Sequence, residues 1–544
     1  MKTLINKLFI VTACVYFLSG CDNDLNEKVF SSITQQSYTY TEADFNKIIN
    51  APNNYAHFNR IRPQDSWWTL QEITADAIVM PPNASGWDDG GRYRTLHYHL
   101  WNAQHDCVVT TWTNDWRAIL LANNALDMVE TDLVPAPSPA AKESAIAELR
   151  AVRAYLYWDL CDNFGDVPLV TAFSSDLPEK SSRKEIYDFV VSELTDVIPM
   201  LSEVHGGTQY YGRFNKWAAK ALLANVYLNA EVYTGQARWN ECIAQCDDII
   251  NSGKSSLAEN YNASFRAKGV ENVTEVLYTI PFDPIYGGHF DRLTFYLASW
   301  HGELKKRFEM ETTPWGSGTI MGVTQFIDTY DLNDTRLEDT WLMGPQFAAD
   351  GSPIMGIYDR IGEQLNFRKE IPDGHYTLED EGYRMFKYEV EKGASFNLDT
   401  DYPIFRYAQV LMMKAECLLR LGQPGAGALV TQVRQRNFKD NPAMATVTDE
   451  QLKDNSCYKY GHVENYVIVD PGNTDPIQFG RMYDELGWEF AWEGFRRRDM
   501  IRFGHYTKKS WLSKLPQGNY RTVFPIPQSA LNANPKLVQN PNYQ

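Results

Sequence analysis

The feature that most constrains the fold of this chain is a pair of apolar helices predicted within residues 214–257. In the first helix, small and apolar residues recur at helical spacing, namely Trp217, Ala221, Leu222, Ala224 and Leu228. In the second helix, the recurring apolar residues are Cys242, Cys246 and Ile249. Gly253 stands where this helix is expected to end. The pattern predicts one antiparallel helical hairpin, with small residues where a partner helix approaches closely.

The spacing of Leu223, Ala224 and Tyr227 resembles the first helix of a tetratricopeptide repeat, although the connecting loop is roughly six residues longer than in that repeat. One such hairpin cannot bury its apolar face alone, so further helix pairs are expected. Helical periodicity places them near residues 141–201, 405–438 and 481–504. Ser182 and Glu185 resemble a capping box that begins one of these helices. The chain is therefore predicted to be mainly α, on a scaffold of about four tetratricopeptide-like helix pairs.

Two stretches lack this periodicity, and both are rich in Gly, Pro, Asp, Asn and aromatic residues. They span residues 60–110 and 260–402. Only short strand-like or helical runs interrupt them, such as residues 275–280 and 323–331. Irregular segments of this length usually carry function, so we expect a loop-rich half that binds the ligand. No low-complexity linker occurs, so residues 41–544 are predicted to form a single body.

The N-terminal residues have the features of an export signal. Two lysines precede an apolar run over residues 8–18, which is much shorter than the roughly 20 residues of a membrane helix. The run leads into LSGC at residues 18–21, which resembles a bacterial lipobox and predicts removal of residues 1–20 and diacylation of Cys21. The alternative is an ordinary signal peptide followed by an unrelated cysteine. Residues 21–40 are polar and aperiodic, as expected of a tether between the lipid and the body.

The charge of the chain argues against nucleic acid as a partner. The formal net charge is −18, whereas phosphate binding needs clustered Lys and Arg. One basic cluster does occur, at Arg496, Arg497 and Arg498. We expect it to form salt bridges with Glu489 and Glu493 near a helix end.

The sequence contains no convincing catalytic, cofactor or metal motif. SGKS at residues 252–255 resembles the end of a phosphate-binding loop, but Asp248 occupies the position of the required first Gly. His97 and His99 alternate as on a strand, yet no third ligand stands at a recognisable spacing. The 69 acidic residues make candidate carboxylate pairs too abundant to indicate a glycosidase. We therefore expect no catalytic residue, no metal and no cofactor.

Several motifs resemble the SusD/RagB family of outer-membrane nutrient-binding lipoproteins, and they occur in that family's order. They are AYLY at residues 154–157, FGDVPL at 164–169, the helix at 218–228, RYAQVLMMKAECLLRLG at 406–422, ELGWEFAWEGFRRRDMIRFG at 485–504, and the tail that begins with FPIP at 524–527. The tail is the most specific of them. One departure is that the family's frequent Glu-Arg pair reads Asp484-Glu485 here, which weakens any inference about ion pairs of that helix.

The resemblance implies a tetratricopeptide-like scaffold packed on an irregular half that carries ligand loops. Members of the family are SusD-like caps on a SusC-like TonB-dependent transporter in the outer membrane. They face the cell exterior, are held by a lipid anchor, and pass oligosaccharides to the transporter without cleaving them. The helical half would face the barrel, and the irregular half would meet the sugar.

Aromatic residues provide the candidate glycan contacts. A pyranose ring has an apolar face that stacks on an exposed indole or phenol, while amides and carboxylates bind its hydroxyls. Tryptophans on helix faces are expected in the core, namely Trp112, Trp116, Trp158, Trp217, Trp488 and Trp492. Those in loop-like sequence are the candidates for glycan binding, namely Trp87, Trp300, Trp315 and Trp341. Trp87 and Trp315 rank first, because flanking Gly and Ser residues free the backbone to present the ring.

Two alternatives to oligosaccharide binding stay open at this stage. One is a helical-repeat surface protein that binds peptide or protein, since a repeat surface is suited to such partners. The other is a surface glycoside hydrolase, against which the missing catalytic motifs and the family resemblance both argue.

Overall fold

The structure is a computed structural model, and it describes residues 38–543 apart from 59, 62–64, 173–175, 283–293 and 397. The predicted signal peptide, the lipobox and Cys21 lie outside the described residues. Helices dominate, which confirms the mainly α prediction. Their bounds are α1 Glu42–Phe58, α2 Trp67–Glu72, α3 Arg92–His97, α4 Asp106–Glu130, α5 Pro139–Phe164, α6 Arg183–Val197, α7 Lys216–Leu228, α8 Ala230–Thr234, α9 Trp239–Asn251, α10 Phe295–Ser299, α11 Lys305–Phe308, α12 Thr324–Ile327, α13 Arg336–Thr340, α14 Tyr407–Leu421, α15 Ala426–Arg434, α16 Gly480–Phe490, α17 Arg496–Arg502 and α18 Gln528–Ala533.

The strands are short and most of them lie in the loop-rich half. Their bounds are β1 Ile78–Val79, β2 Val167–Pro168, β3 Lys180–Ser181, β4 Val276–Ile280, β5 Met321–Gly322, β6 Trp341–Leu342, β7 Gly344–Pro345, β8 Asn366–Phe367, β9 Arg384–Met385, β10 Tyr402–Arg406, β11 Gly461–Glu464, β12 Val467–Asp470 and β13 Trp511–Leu512. Within the described residues, five antiparallel pairs form, β1 with β5, β2 with β3, β4 with β10, β6 with β9 and β7 with β8, together with one mixed sheet in the order β12-β11-β13.

The predicted helix pairs are present as packed neighbours. Helix α5 packs on α6, α7 on α9, α14 on α15 and α16 on α17. Ser182 and Glu185 cap α6 reciprocally, as predicted, and Gly253 adopts a positive φ of 64° just after α9. The connection between α7 and α9 is not all loop, because it contains the short helix α8.

Helix α7 is the centre of the scaffold, because other elements cover it on several sides. It contacts α6, α9, α14 and both strands of the β4–β10 pair. Ala218, Ala219, Ala221 and Ala224 are fully buried, so neighbouring backbones approach closely where α7 carries only methyl groups. Because α9 also packs on α14, the second and third helix pairs share one apolar core.

The arginine cluster on α17 forms ion pairs, but the predicted partners are wrong. Arg496 pairs with Asp76 at 2.6 Å and Arg497 with Asp162 at 3.1 Å. Trp492 has a φ of 72° and interrupts the helix between α16 and α17. A continuous helix would have placed Glu493 beside Arg497, and this break removes that neighbour relation.

A buried polar network joins the loop-rich segments to α16. The guanidinium of Arg406, at the end of β10, pairs with Glu275 at 2.6 Å and with Glu493 at 2.7 Å, and it also contacts Glu489. All of these side chains are essentially inaccessible to solvent. Removing one partner of a buried pair typically costs about 3–5 kcal/mol because the other charge is left uncompensated. The network therefore fixes β4 and β10 to α16 and to the residues that follow it.

Candidate functional site

The four candidate tryptophans fall into two groups in the structure. Trp87 and Trp315 are half-buried, whereas Trp300 and Trp341 are each only 1% exposed. The exposure expected of Trp300 and Trp341 from their loop-like sequence is therefore wrong. The indole of Trp300 stacks on Phe308 and donates to the Met385 carbonyl at 2.6 Å. Trp341 begins β6, and its indole donates to the Tyr330 hydroxyl at 3.3 Å inside the core.

The core tryptophans behave largely as predicted. Five of the six on helix faces are buried, namely Trp112, Trp158, Trp217, Trp488 and Trp492. Trp116 is half-buried against the same core. Helical periodicity thus identifies buried indoles, whereas the absence of periodicity around a tryptophan does not by itself show that its indole is exposed.

The loop that carries Trp87 is a tight turn organised by Asn83. The backbone closes between Asn83 and Trp87, where the Asn83 amide donates to the Trp87 carbonyl at 3.2 Å. The buried Asn83 side chain accepts from the Ser85 amide at 3.0 Å and from the Ser85 hydroxyl at 2.6 Å. Gly86 adopts a φ of 80°, a conformation that glycine reaches without steric cost. The turn therefore presents Trp87 on a fixed backbone.

The loop that carries Trp315 is fixed in a similar way. The Trp315 amide donates to the Leu297 carbonyl of α10 at 2.7 Å, and the Gly318 amide donates back to the Trp315 carbonyl at 3.2 Å. Beneath this loop, the buried guanidinium of Arg384 approaches the Ser317 carbonyl at 3.4 Å. Burial lowers the pKa of Arg384 to about 9, and nearby Asp380 and Glu381 partly offset that effect.

The structure brings these two loops into direct contact. The Asn83 side-chain amide donates to the Gly318 carbonyl at 3.1 Å. A Cβ placed on Gly316 would lie 2.4 Å from the Ser85 hydroxyl oxygen, so only glycine fits at this crossing. Trp87 and Trp315 therefore lie on two loops that contact each other, although 228 positions separate them along the chain, and these two loops are called the platform below. The sequence placed these two tryptophans first among the candidates, but it contains no local signal that their loops contact each other.

Beneath Trp87 lies a second aromatic ring. The indole stacks on the buried Tyr93 with centroids 5.5 Å apart and planes inclined by 19°. Asp88, next along the chain, pairs with Arg94 at 2.9 Å. The Tyr93 ring therefore supports one face of the Trp87 indole and holds it in a fixed orientation.

A third segment flanks the platform, and sequence reasoning missed it. The Thr377 amide donates to the Pro82 carbonyl at 3.0 Å, and the neighbouring Tyr376 is 47% exposed. Nearby, the buried Glu379 carboxylate binds His301 at 2.9 Å. Burial acts to raise the pKa of Glu379, but hydrogen bonds from His301 and from the amides of residues 357, 358 and 360 lower it to about 2. The available signal was that Tyr376 lies in the irregular stretch 260–402, where an exposed phenol can stack on a sugar ring as an indole can.

His97 and His99, which the sequence offered as metal ligands without a third partner, are both buried in the structure. His97 and His99 do not lie on a strand as predicted, because His97 ends α3 and His99 follows it with a φ of 57°. Both are buried, and burial lowers the pKa of His97 to about 3. Within the described ranges, no group of three or more His, Cys, Asp or Glu side chains is arranged to hold a metal ion. None of the helices in those ranges is long and apolar enough to cross a membrane.

Two family models match the chain. The model of the SusD family matches residues 306–543. A second model, described as starch-binding and associating with the outer membrane, matches residues 28–228. Together they cover the Trp87 loop, the Trp315 loop and every long helix of the scaffold except α9, which lies between the two matched ranges.

Curated relatives are similar over most of the chain. The starch-binding protein SusD of Bacteroides thetaiotaomicron is 26% identical over an alignment of length 442, which covers 73% of this chain and 72% of that protein. The SusD-like protein P25 of Formosa agariphila is 24% identical over an alignment of length 576, which covers 99% of this chain and 98% of that protein.

Solved structures share the fold. NanU of Bacteroides fragilis superposes with a TM-score of 0.70 at 20% identity, over 95% of this chain and 100% of that one. The surface glycan-binding protein A of Bacteroides thetaiotaomicron, solved in complex with laminarihexaose, superposes with a TM-score of 0.68 at 17% identity, over 92% of this chain and 99% of that one.

Proposed function

This chain is a SusD-like protein, and from that premise we propose that it binds oligosaccharide at the cell surface through Trp87 and Trp315, without cleaving it. The observation that carries the proposal is the interlocked pair of loops. Two half-buried indoles are held on fixed backbones that touch at Gly316 and Ser85, and such a surface suits stacking on sugar rings. The names of the relatives, which include starch-binding and glycan-binding proteins, support the same class of ligand.

The mode of binding follows from the shape of the site. A preformed aromatic platform avoids the cost of ordering loops when the ligand arrives. An aromatic contact beyond simple burial is worth only about 0.5–1.5 kcal/mol, so affinity stays modest and exchange is fast. These properties suit a protein that must release its ligand to another one.

We assign the location from the predicted lipid anchor. Diacylation of Cys21 would hold the chain stably, because one acyl chain binds membranes only marginally whereas two anchor firmly. The family model described as associating with the outer membrane supports this location. Residues 21–40 would act as the tether, and the body would face the cell exterior.

The proposed partner is a SusC-like TonB-dependent transporter, which would receive the oligosaccharide from this protein. The test is purification of the tagged chain from outer membranes in mild detergent, followed by identification of co-purifying proteins. A transporter of this type is expected in stoichiometric amount. Purification of the chain without any barrel protein would contradict the partnership.

A glycan array with the soluble chain, residues 22–544, tests the ligand class. Binding to at least one oligosaccharide, together with constant reducing ends over a long incubation, is expected. Binding to peptides alone would favour the helical-repeat alternative. Accumulation of new reducing ends would favour the hydrolase.

A further inference from the structure

A second cleft, of about 390 Å³, opens in the loop-rich half, and neither Trp87 nor Trp315 lines it. Its volume lies within the range of about 300–1,000 Å³ that is usual for small-molecule sites. The walls come from the 3-10 helix Tyr261–Phe265, from the end of α11, from α13 and from the residues that follow β9. Four segments that are distant in sequence therefore converge on one concave surface.

One wall of the cleft is aromatic and firmly held. The indole of Trp300 is fixed by its hydrogen bond to the Met385 carbonyl, and the Phe308 ring stacks on it with centroids 4.3 Å apart and planes inclined by 18°. Phe386 is half-buried, and the guanidinium of Arg307 lies 5.4 Å from the Phe308 ring centre and 5.8 Å from that of Phe386. Trp300 is therefore the floor of this cleft, and the half-buried Phe308 and Phe386 rings form its wall.

The rest of the lining is polar, with donors and acceptors both present. Asn262 and Arg266 are exposed, and the side chain of neither makes a hydrogen bond or ion pair with another group in the described part of the chain. The carboxylate of Asp339 is half-buried, and burial together with the nearby Glu338 raises its pKa to about 6. Glu389 is exposed at the rim, with one oxygen bound to the Ala267 amide at 2.9 Å.

The cleft has no surplus of positive charge. The buried ammonium of Lys387, although it lines the cleft, is occupied by the Glu489 and Ala491 carbonyls and the Glu493 carboxylate. Among the lining residues, Arg266 remains as the available cation, alongside the two carboxylates of Asp339 and Glu389. A lining of this kind favours a neutral ligand rich in hydroxyl groups over an anionic one.

We propose that this cleft is a second binding site, which takes one neutral pyranose unit stacked on the Phe308 and Phe386 wall, with its hydroxyls bound by Asn262, Arg266 and Asp339. The site goes beyond the proposed function, because it does not depend on the platform of Trp87 and Trp315. A glycan long enough to reach both sites would be held at two points.

The experiment is fluorine NMR of the soluble chain labelled with 5-fluorotryptophan, in which Trp300 reports the cleft and Trp87 and Trp315 report the platform. Each resonance is assigned by single substitution to Phe. The probes are glucose, galactose, mannose and xylose as neutral pyranoses, with glucuronate as the anionic comparison. Because the two sites have separate resonances, a failure of one proposal is distinguishable from a failure of the other.

The Trp300 resonance is expected to move in a saturable way with at least one neutral sugar, and with the same half-saturation in the Trp87→Ala, Trp315→Ala double variant. Phe386→Ala should raise that half-saturation roughly tenfold. Asn262→Ala should also weaken binding, and because that side chain is exposed it leaves the fold intact. Phe347→Ala, at an exposed phenylalanine that does not line the cleft, is the matched control and should change nothing.

Three results would overturn the proposal. The first is a Trp300 resonance that no neutral sugar moves. The second is a response that disappears in the double variant, which would mean that Trp300 senses the platform. The third is tighter binding of glucuronate than of every neutral sugar.

Discussion

Gly316→Ala tests whether the two tryptophan loops are locked together as described. The added Cβ would lie 2.4 Å from the Ser85 hydroxyl oxygen and 2.9 Å from the Ser85 Cβ, so the loops must separate or distort. Gly86→Ala is the matched control, because Gly86 also has a positive φ, of 80°, but no atom lies within 4 Å of its Cβ position. The two substitutions share the backbone strain and differ in the steric clash.

The expected losses of stability follow from the backbone strain and from the steric clash. A left-handed conformation costs a residue with a side chain about 1–2 kcal/mol, so Gly86→Ala should destabilise the protein by that amount. Overpacking typically adds about 1–3 kcal/mol, so Gly316→Ala should cost correspondingly more. Ser85→Gly removes the clashing atoms and should rescue Gly316→Ala, which predicts a coupling of about 1–3 kcal/mol between the two positions.

The assay is denaturant unfolding of four proteins, namely the original protein, Gly316→Ala, Ser85→Gly and the double variant. Hydrogen exchange of the backbone amides at positions 85 and 318 is the local readout. Exchange at both amides should accelerate in Gly316→Ala and return towards the original rate in the double variant. Equal costs for Gly316→Ala and Gly86→Ala, with no coupling between positions 85 and 316, would refute the described contact between the loops.

Three further predictions concern the anchor, the scaffold and the pH dependence. Cys21→Ala should release the protein from the outer membrane, as measured by cell fractionation and protease shaving, and a variant that stays bound and surface-exposed would contradict diacylation there. Ala224→Trp should destabilise the protein by about 1–3 kcal/mol or more in denaturant unfolding, because Ala224 is fully buried on α7; an unchanged unfolding midpoint would contradict that packing. Burial raises the pKa of Glu72 from 4.5 to about 8, despite a hydrogen bond from the Gly494 amide. The unfolded chain therefore loses this proton at a lower pH than the folded protein does, and the free energy of unfolding falls as pH rises from about 4.5 to 8. Glu72→Gln should therefore lose less stability than the original protein between those pH values, and identical pH profiles would contradict the shift.

The sequence predicted the scaffold well, because helix formation there depends on local patterns. The periodicity of α7 and α9, the Ser182 cap and the glycine at 253 each act within a few residues of the helix they define. The ion pairs were harder to predict. Arg496 finds Asp76, which lies 420 positions away, and no local spacing encodes that partner.

The candidate site was predictable only in part. Trp87 and Trp315 were ranked first because flanking Gly and Ser residues allow an exposed ring, and both are half-buried in the structure. Trp300 and Trp341 have similar loop-like surroundings, yet both are buried. Their burial depends on Phe308, Met385 and Tyr330, which long-range packing brings to them. Loop sequences carry no periodic signal for such packing, so exposure could not be read from them.

Isothermal titration calorimetry of the soluble chain against an oligosaccharide that binds on the array tests the central claim most directly. Trp87→Ala and Trp315→Ala should each weaken affinity by roughly tenfold to thirtyfold, as loss of a binding hot spot worth about 2 kcal/mol would do. Trp239→Ala, at a half-buried tryptophan of the helical scaffold, is the control and should leave affinity unchanged. Full affinity in both platform variants, with folding intact, would contradict the assignment of the site.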